Sequence, residues 1–283
     1  MKNILIPAVV FILSLSTQIT SAQNLSNCKS YRLSLNGDAI LSIDPRIEFL
    51  QIFNLVAGNP GINYIETDYK TDIIDYFNKY KAHPSIQYFL GNYQKFFSSM
   101  DEPYSLLPSL ELDFTFRKDV SENRWKYHQE IDSLLFAFRQ FADDTDFAKF
   151  FNSQSDFYTL LFNNTAYTLS DFSERERMLE YYGIGDTESH GFEVIINVLG
   201  NGNFGIGLTT ESQEEHYAIV TPGRAISGIP VYSKLELEKL IWHEFGHSFS
   251  NPLVDKYWPD LGKLSNLHDP IRESMASQFY HEW

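Results

Sequence analysis

Cysteine is nearly missing from this chain. Cys28 is its only one, so no internal disulfide can form and the fold must close on packing alone, even in an oxidising compartment. Basic residues are scarce as well. Lys and Arg number 22 against 37 Asp and Glu, for a net charge of −15, and a field of that sign repels phosphate backbones and anionic membrane surfaces. No nucleic-acid partner is expected. Nor does any run of the chain reach the roughly 18 apolar residues that a permanent membrane span requires, and no period of self-similarity points to a repeat solenoid.

What is present is enough to fold. The 283 residues are 43% apolar, sufficient to bury one large core or two modest ones. Aromatics make up 16%, and their spread through helical patterns reads as core filling and amphipathic surface tips rather than a sugar-stacking platform. Residues 1–22 have the layout of a secretory leader: Lys2, an apolar stretch from Ile4 to Leu15, and a small-residue cleavage site at Thr20-Ser21-Ala22. An exported, soluble product beginning at Gln23 is therefore expected. Lipid anchoring at Cys28 is the lesser alternative, because Asn27 precedes it where a small residue is usual.

The fold class expected is α+β. Tyr31 to Ser42 alternates around Asn36-Gly37-Asp38 as a short hairpin. Asp44-Pro45 then opens a helix that Gly58-Asn59-Pro60 stops. Further helical patterns run over residues 72–81, 84–97, 127–141, 147–162 and 171–182. Near Gly183 the texture changes, and Phe192–Leu199, Asn203–Thr210 and His216–Val220 read as a small sheet. A mainly helical region over 23–185 thus precedes an α+β region over 186–283 that carries the chemistry.

Gly200-Asn201-Gly202-Asn203-Phe204-Gly205 fits the G-x-G-x-x-G pattern of dinucleotide sites. The pyrophosphate needs a helix opening at the third glycine, and Gly205 leads instead into extended-type residues, so the segment is read as a hairpin turn. The stronger signal is Ser233 to Ser250. Ser233 with Glu236 makes a capping box, Tyr232 and Leu237 a staple, and Leu237, Leu240, Ile241 and Phe245 recur at helical spacing until Asn251-Pro252 ends the pattern. On this helix His243 and His247 stand one turn apart on one face, the spacing of two corners of a zinc tetrahedron.

Glu244 projects about 100° around from His243, near enough to serve a metal-activated water as general base without ligating the metal. Zn2+ would lower the pKa of that water and polarise a substrate carbonyl. A match to H-E-x-x-H arises by chance in roughly one such chain in a hundred, and the capped amphipathic context argues further for a metal site over a pair of structural histidines. The third ligand stays open. Ser250 and Leu253 stand where an extended three-histidine pattern needs glycine and histidine; Glu273 and Glu282, on a helix opening at Asp269-Pro270, are the downstream candidates, beside a residue beyond Trp283. His83, His128, His190, His216, His268 and His281 read as surface or loop histidines. Asp255, Tyr257 and His268 follow the helix closely enough to act around the metal ligands, and Asn203–Thr210 offers a sheet edge for a peptide.

The chain resembles a family of exported bacterial proteins known only as a domain of unknown function, found largely in the Bacteroides group. The resemblance rests on Asp44-Pro45-Arg46-Ile47-Glu48, Ala57-Gly58-Asn59-Pro60, Tyr80-Lys81-Ala82-His83-Pro84, Asn203-Phe204-Gly205, and His243-Glu244-Phe245-Gly246-His247-Ser248-Phe249 with Asn251-Pro252-Leu253. The active helix is also similar to that of gluzincin-like zinc metallopeptidases, which implies a zincin-like sheet and their zinc-water mechanism. Resemblance to the exported family of unknown function implies, too, a further glutamate-bearing helix past Trp283, so that the region is expected to be incomplete at its C-terminus. The function expected is a zinc-dependent hydrolase, a secreted or periplasmic metallopeptidase acting on a peptide or protein. The alternatives are a non-enzymatic exported binding protein with a structural or degenerate zinc site, and a zinc hydrolase of non-peptide amides or esters. Substrate side chain, endo or exo action and oligomeric state are not specified.

Overall fold

The computed structural model describes residues 25–37, 39–59, 62, 65–121, 123–185 and 189–261. The leader expected over 1–22 and the helix expected from Asp269-Pro270, with Glu273 and Glu282, lie outside the described residues.

The fold is α+β, a mixed sheet with helices before it and one long helix across it. The hairpin foreseen around Asn36-Gly37 forms from β1 (Tyr31–Leu35) and β2 (Ala39–Ile43), with both turn residues at positive φ. Helix α1 (Pro45–Ala57) starts and stops where its residues require. The Asp44 carboxylate accepts from the Arg46 amide at 2.8 Å, Pro45 sits at the first position, and Gly58 ends the helix in the left-handed region at φ 72°.

Helix α2 (Asp68–Phe77) opens four residues earlier than residue 72, because Thr67 Oγ1 caps the Lys70 amide at 3.1 Å and so brings Tyr69 into the core. There follow α3 (Pro84–Phe96), α4 (Glu102–Leu106), α5 (Ile131–Asp144), α6 (Phe147–Ser153), α7 (Ser155–Thr168) and α8 (Arg175–Tyr181). The single helix expected over 147–162 is two, broken at Gln154 without any proline or glycine.

Rings fill the interior of this part. Phe53 is fully buried with Phe141, Phe89 and Phe138 at centroid distances of 4.8, 5.0 and 5.3 Å, mostly edge to face. One carboxyl lies among them. Glu48 is inaccessible to solvent, accepts from the Tyr69 hydroxyl, and that hydroxyl stands 2.6 Å from the hydroxyl of Tyr158. Burial lifts the Glu48 pKa to about 7 in spite of these bonds.

The second part supplies β3 (His190–Ile196), β4 (Phe204–Thr209) and β5 (Glu214–Val220), which join the first hairpin in one five-stranded sheet of order β1-β2-β3-β5-β4. Parallel pairing of β2 with β3, Ile40 opposite Glu193 and Ser42 opposite Ile195, carries the sheet across the boundary drawn at residue 185. β3 and β5 are also parallel, and β4 runs antiparallel along the outer side of β5. A second hairpin, unforeseen, pairs β6 (Arg224–Ile226) with β7 (Ile229–Val231) about Ser227 and Gly228, both at positive φ.

Helix α9 (Lys234–Leu261) then crosses the sheet, with Leu237, Ile241 and Phe245 buried beneath it. Ser233 caps it as expected, its Oγ accepting from the Glu236 amide at 3.4 Å. Its end differs. The helix runs through Asn251-Pro252, although Pro252 has no amide to donate to the turn before it, and residues 251–260 are exposed. Among the described residues, no helix is long and apolar enough to cross a membrane.

Candidate metal centre

The long helix reaches the sheet closely because β4 gives up side chains. Gly205 lies directly under α9: a Cβ there would stand 1.8 Å from the backbone oxygen of Glu244 and 2.8 Å from Cβ of His247. Gly207, two residues along the same face, would meet Ser248 at 3.4 Å. Of the dinucleotide-like segment, Gly205 thus serves close helix-on-strand approach, whereas Gly200 and Gly202 face the side chains of Asn197 and Phe204. Anchoring comes from aromatic contacts. Phe245 meets Phe192 of β3 edge to face at 4.9 Å, and Phe249 stacks on Tyr182 at 4.6 Å and on His216 at 4.4 Å. The Tyr182 hydroxyl also donates to the Gly246 carbonyl at 3.5 Å, so Gly246 marks a place where another group packs on the helix backbone.

On the helix so placed, His243 and His247 converge. Their Nε2 atoms are 3.2 Å apart and the rings are nearly perpendicular, at 88°. Two nitrogens each about 2.05 Å from one zinc ion at a tetrahedral angle stand about 3.3 Å apart, so the pair fits two corners of such a site. The same separation also serves an N–H to N hydrogen bond between the two rings. Nδ1 of His247 is 3.2 Å from Oδ1 of Asn251, a contact that orients the imidazole and leaves Nε2 directed at His243. Glu244 is only 4% exposed. Burial raises its pKa above the usual carboxylate range, and the neighbouring His247 draws it partly back.

The candidate site also lies at the sheet's margin. The Thr209 carbonyl accepts from the Ser121 amide at 3.1 Å on the side away from β5. Alternate residues of a strand point their backbone groups the same way, so Gly205 and Gly207 turn theirs to the outer edge of β4.

The chain matches the profile of the family described as a domain of unknown function, DUF4932, over residues 120–283. It belongs to DUF4932. The region matched to DUF4932 contains β3 to β7 and the whole of α9. No curated protein and no solved structure matches the chain.

Within this DUF4932 chain the structure brings His243, Glu244 and His247 together and separates others from them. Asp255 and Tyr257 lie eight and ten residues beyond His247 on a continuous helix, which at 1.5 Å per residue is about 12 and 15 Å along the axis. A helix stopping at Asn251 would have let the chain turn both back; since it continues, Asn251 holds the position next to His247. Its spacing of four from His247 was the available signal. Glu273, Glu282, His268 and His281 lie outside the described residues, and among the described ones no group of three or more His, Cys, Asp or Glu gathers for a metal.

Two histidines read as surface or loop residues lie in the sheet instead, His216 buried and His190 half-buried. His190 and His216 lie on β3 and β5 and stack at 5.1 Å, Nδ1 of the first 2.8 Å from Nε2 of the second. His216 is 4% exposed, and burial, with His190 beside it, lowers its pKa to about 3. Parallel pairing of β3 with β5 creates this contact, and the sequence alone does not display which strands are neighbours.

Proposed function

We propose that this chain is a zinc-dependent hydrolase of peptide bonds, with His243 and His247 as metal ligands and Glu244 as general base. The observation that carries the reading is the 3.2 Å convergence of the two Nε2 atoms beside a buried carboxylate. Zinc held there would supply Lewis acidity, acidifying a water and polarising a carbonyl. Glu244, one residue on from the first ligand and turned away from it, takes a proton from the attacking water and returns it to the leaving amine. Asn251 keeps the His247 ring in register.

The substrate's place follows from β4. An extended peptide adds to that outer edge by backbone pairing with Gly205 and Gly207. Gly205 touches the backbone of Glu244 across the contact with α9, so a chain on this edge passes beside the general base.

The test combines metal and turnover. After chelation and dialysis against zinc, one equivalent is expected to bind, and His243→Ala or His247→Ala to abolish it. A peptide library is expected to be cleaved by the zinc form, and Glu244→Gln to keep the metal while losing about 10²- to 10⁴-fold in rate. Unchanged turnover in Glu244→Gln would overturn the reading. Zinc uptake that survives loss of both histidines would do so equally.

A further inference from the structure

A cavity of roughly 480 Å³ opens between the N-terminal half of α9 and the β6–β7 hairpin, within the usual size range of pockets for small ligands or side chains. Its floor is apolar, with Leu237 and Leu240 from the helix and Val231 from the hairpin; Thr221, Arg224 and Glu236 supply polar groups. Glu236, Leu240, His243 and His247 follow one another at spacings of four, three and four, which aligns them on one stripe of the helix. The cavity therefore begins one turn before His243, on the face that carries the two imidazoles.

Arg224 is the unusual member of this lining. Every other described arginine has a partner: Arg32 with Glu193, Arg46 with Asp44, Arg117 with Glu215, Arg124 with Glu102, Arg177 with Glu174, and Arg139 and Arg175 with the carbonyls of Phe114 and His190. The side chain of Arg224, exposed on β6 where its backbone pairs with Val231, has no hydrogen bond or ion pair among the described residues, in a chain where acidic groups outnumber basic ones 37 to 22. Its support is nonetheless firm. The two-residue turn at Ser227-Gly228 fits the twist of a hairpin, and the Tyr232 hydroxyl donates to the Val220 carbonyl at 2.9 Å, tying the hairpin's exit to the end of β5. A guanidinium presented on such an arm offers a planar pair of donors matched to a carboxylate.

We infer that this cavity is the recognition pocket of the proposed hydrolase and that Arg224 selects substrates bearing a carboxylate close to the scissile bond. The aliphatic part of the recognised residue lies on Leu237, Leu240 and Val231. Glu236, on the helix wall, repels the carboxylate and turns it toward the hairpin. The carboxylate is either an acidic side chain or a free C-terminus, and both present the same group. This inference rests on the hydrolase reading for what the pocket serves, though not for what it binds.

Binding is therefore measured apart from turnover, by anisotropy of dansyl peptides on the full zinc-loaded chain carrying Glu244→Gln. Four peptides suffice: Glu or Gln at the recognised position, each with a C-terminal acid or amide. At least one acid form is expected to bind ten-fold or more tightly than its amide counterpart, and which one identifies side chain or terminus. Arg224→Gln is expected to collapse that ratio toward one, and Arg224→Glu to reverse it. Equal binding of acid and amide forms, or a preference that survives Arg224→Gln, overturns the inference. If the Arg224-dependent preference appears but wild-type chain cleaves none of the peptides, the pocket stands and the hydrolase reading falls. Cleavage without the preference keeps the hydrolase and removes the pocket.

Discussion

The two halves of the molecule close their interiors by opposite means. Between α1, α3 and α5 the space is filled by rings, so that Phe53 alone meets three other phenylalanines within 5.3 Å. Between β4 and α9 it is closed by removing side chains, with Gly205 letting a strand backbone touch a helix backbone. Filling confers stability that falls off gradually as atoms are removed; removal confers proximity that vanishes as soon as an atom is added. The contrast teaches where each half is vulnerable, and each can be tested against the other.

The largest effect belongs to the filled half. Phe53→Ala is expected to cost about 3–5 kcal/mol of unfolding free energy, read from denaturant midpoints, while zinc affinity measured well below the transition stays at the wild-type value. Loss of metal binding in that variant would erase the distinction between the halves. Gly205→Ala should show the reverse pattern, with a smaller penalty of about 1–3 kcal/mol as α9 is pushed from β4 and a collapse of zinc uptake that calorimetry would register.

Acidity separates the halves by sign. Glu48 keeps its proton to about pH 7 in the folded chain against an ordinary value of 4.5, so its contribution is fully present below pH 4.5 and is lost as pH rises to 7. His216 stays neutral in the folded chain down to about pH 3 against an ordinary 6.5. Its contribution is complete above pH 6.5 and is lost as pH falls toward 3, because the unfolded chain then binds the extra proton. Each slope is at most about 1.4 kcal/mol per pH unit. Thermal melts from pH 4 to 8 should find Glu48→Gln flattening the alkaline side and His216→Phe the acid side; exchange of those assignments would refute the placement of both groups. The smallest effect is expected from Asn251→Ala, a loss of about ten-fold in zinc affinity at unchanged melting temperature.

Local grammar is readable in both halves. Asp44-Pro45, Gly58, Asn36-Gly37 and Ser233 are each decided by neighbouring atoms and act where the sequence puts them. The spacing of His243, Glu244 and His247 is likewise a helix property, and the structure needs only to keep the helix. What stays hidden depends on partners distant in the chain. The glycine that meets Glu244 sits in a segment patterned like a phosphate loop, the His190–His216 pair depends on the order of the strands, and the break at Gln154 carries no residue that announces it. Pro252 misleads for the converse reason. Its local rule is sound, yet α9 continues past it with one amide fewer.

The join between β2 and β3 binds residues about 150 positions apart into one sheet. Synthesis of residues 120–283 by themselves would thus strip β3 of its neighbour β2, leaving it paired only with β5, and expose a largely apolar margin, a template for adhesion between copies. The growing polypeptide must wait for β3 to emerge before that ladder can zip, and a closure of such span slows assembly more than it weakens the finished product.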